Sequence, residues 1–109
     1  MVVITDAATE KLKSLMERDH MNAVRLSIIK TNCMGGKGHS YRMGYESMRK
    51  EGDDVSENNG ITVYVDSESS PLLKGAQLDF VVTLNSHGFK VNNPNAKSKC
   101  HCGKHDIFE

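Results

Sequence analysis

The stretch TDAATEKLKSLMERDHMNAVRLSI, residues 5–28, changes its hydrophobic period partway along, and that change decides the fold class. In its first half Ala8, Leu12, Leu15 and Met16 share one helical face, with Lys11, Lys13, Glu17 and Arg18 mostly off it. Thr5 or Asp6 reads as the N-cap, and the basic residues suit the late part of a helix, where the dipole favours them. From Ala23 the period drops to two. Val24, Leu26 and Ile28 alternate with Ala23, Arg25 and Ser27, which is a strand with one face inward. An amphipathic helix cannot bury its stripe alone, so the reading is a helix packed on a sheet rather than on a membrane surface.

Working outward, the period of two recurs. Tyr41, Met43 and Tyr45 form one face of a second strand, paired antiparallel with the first through the glycine-rich segment Lys30 to His39, which carries Cys33. Ile61, Val63 and Val65 alternate as a strand. Pro71-Leu72-Leu73-Lys74-Gly75 suggests one helical turn capped by Ser69 or Ser70, and Leu78, Phe80, Val82 and Leu84 make another strand. Phe89-Lys90-Val91 is a short strand, and Asn92-Asn93-Pro94-Asn95 is expected to end regular structure. The acidic stretch from Lys50 to Gly60 reads as an exposed loop; its Asp53, Asp54 and Glu57 lack the spacing of a calcium loop. The expected class is α+β: a long N-terminal helix on a compact body of about five short, mostly antiparallel or mixed strands. The expected organisation is a single domain, 1–109, of which 97–109 is a flexible cysteine-bearing tail.

Composition narrows the function. A chain of 109 residues has room for one core. Lys+Arg and Asp+Glu number 14 each, so no global charge steers it to nucleic acid or an anionic membrane. No run approaches the roughly 20 apolar residues of a membrane span. Met1 to Asp6 lacks the basic region of a secretory signal. With 3 cysteines, an odd number, metal binding or reactive thiols outrank a disulfide framework, and a cytoplasmic or other reducing compartment is expected.

The chemistry gathers at the end, in Lys99-Cys100-His101-Cys102-Gly103-Lys104-His105-Asp106-Ile107-Phe108. Thiolates and imidazoles are ligands for iron, zinc and copper. In an extended chain Cys100 and Cys102 project to one side, and a disulfide between them would be strained. The third cysteine, Cys33, sits in a loop whose glycines let backbone approach a cofactor. His39, in that loop, and His105, three residues after Cys102, are further candidate ligands. The local spacing leaves the metal open. Patterns for an activated serine, a His-Glu-x-x-His zinc site, a phosphate-binding loop or a dinucleotide fold are absent, so the chain does not read as an enzyme.

Three stretches resemble one known family. Gly60-Ile61-Thr62-Val63-Tyr64-Val65-Asp66 and Leu73-Lys74-Gly75-Ala76-Gln77-Leu78-Asp79-Phe80 are similar to the strand, turn and strand of the A-type iron–sulfur carriers, the HesB-like or IscA-like proteins. Gly88-Phe89-Lys90-Val91-Asn92-Asn93-Pro94-Asn95-Ala96 and the cysteine pair before Phe108 are similar to that family's later motifs. The resemblance implies an iron–sulfur cluster, [2Fe–2S] ahead of [4Fe–4S], or iron, bound by Cys33, Cys100 and Cys102 and passed from a cluster donor to apo-protein acceptors. It also implies a homodimer or tetramer, which fits the ligand count, since a cluster usually takes four ligands and one chain has three thiols. Two departures stand out: a longer loop after Cys33, and His101 where the family has glycine. They motivate an alternative, a single zinc or iron ion held by Cys33, Cys100, Cys102 and either His101 or His105. A third reading is an interaction scaffold of the same fold without metal.

Overall fold

The computed structural model describes residues 2–84, 87–100 and 105–108. A short strand β1, Val3–Ile4, leads into helix α1, Asp6–Asp19. Of the two proposed caps, Thr5 is the one used: it is extended, and its side chain accepts from the Ala8 amide. Ala8, Leu12 and Met16 are buried as the period of 3.6 requires. The helix stops at His20, whose φ of 57° turns the chain left-handed.

The strands that follow are β2, Ala23–Lys30, then β3, Gly38–Tyr45, β4, Asp54–Asn58, and β5, Ile61–Val65. A short helix α2, Ser70–Leu73, precedes β6, Gln77–Val82, and β7, His87–Asn92; β8, Ser98–Lys99, and β9, Asp106–Ile107, close the chain. They form two sheets, β1-β6-β7 and β4-β5-β2-β3-β9-β8. The pairs β1–β6 and β2–β5 are parallel and the others antiparallel. This is the expected α+β class with a mixed, mostly antiparallel body. One core joins α1 to both sheets: Ala8, Leu12 and Met16 meet Val24, Leu26, Ile61, Val63, Val65 and Leu78. Burying side chains of this size contributes about 1.5–3 kcal/mol each.

Three local expectations are corrected. The acidic stretch is not all loop, because β4 pairs along the whole of β5. Asp53, just before it, is buried and takes two hydrogen bonds from the Arg25 guanidinium, at 2.8 and 2.5 Å, so it is a structural anion. The strand expected to run to Leu84 ends at Val82, and both side chains are exposed. Pro94 and Asn95 do not end regular structure, since β8 and β9 follow. Ser69 does hold the cap position of α2, yet its hydroxyl accepts from the Ile28 amide at 2.9 Å instead of capping.

The asparagine-rich segment has a mechanical use. Asn93 Nδ2 donates to the Leu72 carbonyl at 2.7 Å, and Asn95 Nδ2 to the carbonyls of Leu72 and Lys74 at 3.0 and 2.8 Å. Carbonyls left over at the end of α2 are thereby satisfied. The chain that leads to the last hairpin is pinned to the body at the same time.

Candidate metal centre

Cys33 opens a single 3₁₀ turn, Cys33–Gly36, between β2 and β3. Thr31 shapes this turn. Its hydroxyl accepts from the Cys33 amide at 3.2 Å and donates to the Gly38 carbonyl at 2.9 Å. Gly35 and Gly36 adopt φ of 68° and 91°, the left-handed region that favours glycine. The turn thus holds Cys33 over the first residue of β3.

The last hairpin reaches the same place. β9 pairs with β3, setting Ile107 opposite Gly38 and Asp106 opposite His39. β8 pairs with β9 in turn, and the Cys100 amide donates to the His105 carbonyl at 3.0 Å. Cys100 is buried, and its Sγ lies 3.4 Å from His105 Nδ1. The donor atoms of Cys33, Cys100 and His105 all fall within 4.8 Å of one another.

Gly38 makes this convergence sterically accessible. A Cβ on Gly38 would stand 3.1 Å from Cys33 Cβ and 3.2 Å from His105 Cβ. Ordinary carbon–carbon contact is about 3.5–4.0 Å, so the space above Gly38 is filled by the two ligand side chains. Strand alternation then sorts the neighbours. Gly38 faces the centre, whereas His39 lies on the other face, where Nδ1 meets the Lys37 carbonyl at 2.8 Å and the ring packs edge-on against Phe108.

That other face carries the hairpin's anchor. Asp106 is buried, accepts a hydrogen bond from the Tyr41 hydroxyl, and pairs with Lys99 Nζ at 2.6 Å. Burial first, and the bond to Asp106 second, raise the Tyr41 pKa above its ordinary value, so the phenol remains a donor. Lys99, the residue before Cys100, is thereby engaged by Asp106.

Of the residues singled out in the sequence, Cys33, Cys100 and His105 come together and His39 faces away. Cys102 and His101 lie outside the described residues. The donor set assembled among the described residues is therefore two thiols and one imidazole. It suits a transition metal: bonds of about 2.3 Å to sulfur and 2.0–2.1 Å to nitrogen give a tetrahedral S···N edge of about 3.6 Å. Sequence reasoning missed Thr31, Gly38 and Asp106. A glycine opening a strand that starts beside a cysteine loop is a weak signal for the second, and the first and third carry none without the pairing.

Comparison with known proteins gives concordant matches. A family model described as iron-sulphur cluster biosynthesis matches residues 1–104. The uncharacterized protein SufA of Bacillus subtilis (strain 168) is 38% identical over 104 residues, covering 94% of this chain and 84% of that one. A crystal structure of IscA with the [2Fe-2S] cluster superposes with a TM-score of 0.82 at 25% identity, covering 98% of each chain. Escherichia coli SufA, involved in biosynthesis of iron-sulfur clusters, gives 0.78 at 28% identity, covering 97% of this chain and 92% of that one.

Proposed function

The chain belongs to the iron–sulphur cluster biosynthesis family, and from that membership we propose that it carries iron or an iron–sulfur cluster. The cargo, [2Fe–2S] ahead of [4Fe–4S], is held at the Cys33, Cys100 and His105 centre and handed to apo-proteins by ligand exchange. One observation carries this reading: two thiols and an imidazole from distant parts of the chain have donor atoms within 4.8 Å. Soft thiolates with a borderline imidazole suit iron and zinc. A cluster usually takes four ligands. Cys102 or a second copy of the chain supplies the remainder, so a homodimer or tetramer is part of the proposal. The thiols must stay reduced, which calls for a reducing compartment.

The form of the cargo has two readings. Likeness to a [2Fe-2S]-bearing IscA supports a cluster. The 3.4 Å separation of Cys100 Sγ and His105 Nδ1 supports a single iron or zinc ion, with Cys102 or His101 completing the shell, because it is close to one edge of a one-ion tetrahedron. At the level of the ligand set, the geometry of the described residues supports a core of Cys33, Cys100 and His105.

Anaerobic loading with iron and sulfide, followed by assay of both, tests the proposal. Sulfide near equimolar with iron is the cluster result, and iron or zinc without sulfide is the single-ion result. Failure to retain any metal would overturn both and leave the scaffold reading. Under either metal form, His105→Ala lowers metal affinity and changes the visible spectrum; wild-type affinity in that variant removes His105 from the ligand set.

A further inference from the structure

Residues of two edge strands border one groove alongside the last hairpin. β7 ends the three-stranded sheet and β8 ends the six-stranded one, so each has a side without a strand partner among the described residues. Residues of both strands line a groove of about 550 Å³, with Lys90, Lys97, Lys99, Asn92, Asn93 and Asp106 in its wall. Lys99 pairs with Asp106 at 2.6 Å. Lys90 and Lys97 are exposed, and among the described residues neither forms an ion pair with a carboxylate. The chain as a whole is neutral, with 14 basic and 14 acidic side chains, so the positive excess at this groove is local.

We propose that this groove docks an extended, carboxylate-rich segment of a partner protein, the one that gives or takes the cargo. Unpaired strand edges offer main-chain donors and acceptors to an extended peptide, and flanking lysines select carboxylates. The edges favour a polypeptide over a nucleic acid, which has no strand backbone to add. Position ties the groove to the element that carries the donors: Lys99 immediately precedes Cys100, and Asp106 immediately follows His105, each on the opposite face of the β8–β9 hairpin from its neighbour. A segment laid here grips the hairpin that supplies two of the three donors, from the side away from the metal centre. The identity of the partner as donor or acceptor rests on the proposed function, while the peptide chemistry rests on the groove alone.

The test uses the full chain and a fluorescein-labelled peptide of alternating glutamate and valine. Controls are the same peptide with lysine for glutamate and a single-stranded oligonucleotide. The expected result is binding of the acidic peptide that weakens as salt rises towards about 0.15 M, with no binding of the lysine peptide. K90E/K97E weakens acidic-peptide binding by about tenfold or more, and K90Q/K97Q, the milder variant, by an intermediate factor. Neither touches the metal ligands, so iron uptake of both variants matches the wild type. Equal peptide binding by wild type and both variants, or preference for the oligonucleotide, overturns the proposal. A wild-type chain that binds the peptide but takes no iron refutes the carrier reading and leaves the groove's chemistry standing.

Discussion

Replacing Gly38 by alanine tests whether the centre depends on the space over that residue. The new methyl would stand 3.1 Å from Cys33 Cβ, 3.1 Å from Thr31 Oγ1 and 3.2 Å from His105 Cβ. To restore ordinary contact near 3.5 Å, each neighbour must retreat by about 0.3 Å or more. Metal–ligand distances tolerate about 0.2 Å, and disturbing residues that orient ligands costs typically about 10–100-fold in affinity. The expected outcome is an iron affinity lower by about tenfold or more. Stability is a separate readout. Alanine in a strand gains about 0.5–1 kcal/mol over glycine, and crowding costs about 1–3 kcal/mol, a net loss between zero and about 2.5 kcal/mol. Gly44→Ala is the internal control: it lies in the same strand with no atom within 4 Å of its would-be Cβ, so metal affinity should not change. Competition titration with a chromophoric chelator measures affinity, and urea unfolding measures stability. A Gly38→Ala protein that binds iron like Gly44→Ala would refute the steric account of the centre.

Other outcomes follow from the frame. The Arg25 guanidinium lowers the Asp53 pKa to about 2, so its stabilising effect is full above the ordinary carboxylate value near 3.9 and is lost as pH falls through about 2. Asp53→Asn should flatten that part of the acid unfolding curve, followed by circular dichroism. Leu12, fully buried, loses its packing in Leu12→Ala, which should cost about 2–5 kcal/mol in chemical denaturation. Tyr41→Phe removes a hydrogen bond to the buried Asp106, and hydrogen exchange should show the β8–β9 amides opening more readily by about 1–3 kcal/mol.

The parts of the fold that were legible in the sequence are those where one face is buried along a continuous run. Leu12 and Met16 mark the inner face of α1, and Ile61, Val63 and Val65 are all buried in β5. The β4 strand does not read as a strand because residues on both its faces are exposed, Asp54, Val55 and Glu57 among them, and apart from Val55 its residues are polar, as in a loop. The reverse error occurred at Leu84. Apolar alternation suggested burial, but the β6–β7 hairpin has already left the core at Val82. β8 and β9 have two residues each, too short for any periodic signal, and only pairing with β3 defines them. The candidate ligands were legible as residue types. Which histidine joins the cysteines depends on the register of β9 on β3, because a one-residue slip exchanges the two faces.

That register also bears on how a held metal could be released. Cys33 belongs to a turn closed by Thr31 and continuous with β2, whose Val24 and Leu26 are in the core. Cys100 and His105 both stand on the β8–β9 hairpin, which meets the body through, among others, a two-residue ladder on β3, the buried Asp106 and Ile107, the Tyr41–Asp106 bond and the ring contact of Phe108 with His39. Short elements at a sheet edge open at lower free energy than core strands. Opening this hairpin would withdraw two donors together and leave Cys33 in place, so a bound metal would pass through a state with one body ligand and open positions. Filling those positions with an acceptor's thiolates conserves the ligand count at each exchange. A centre built with all its ligands in the body would have to disrupt the core to reach the same state. Dividing the donors between a turn continuous with core strand β2 and a short hairpin at the sheet edge is therefore an arrangement that suits transfer by ligand exchange.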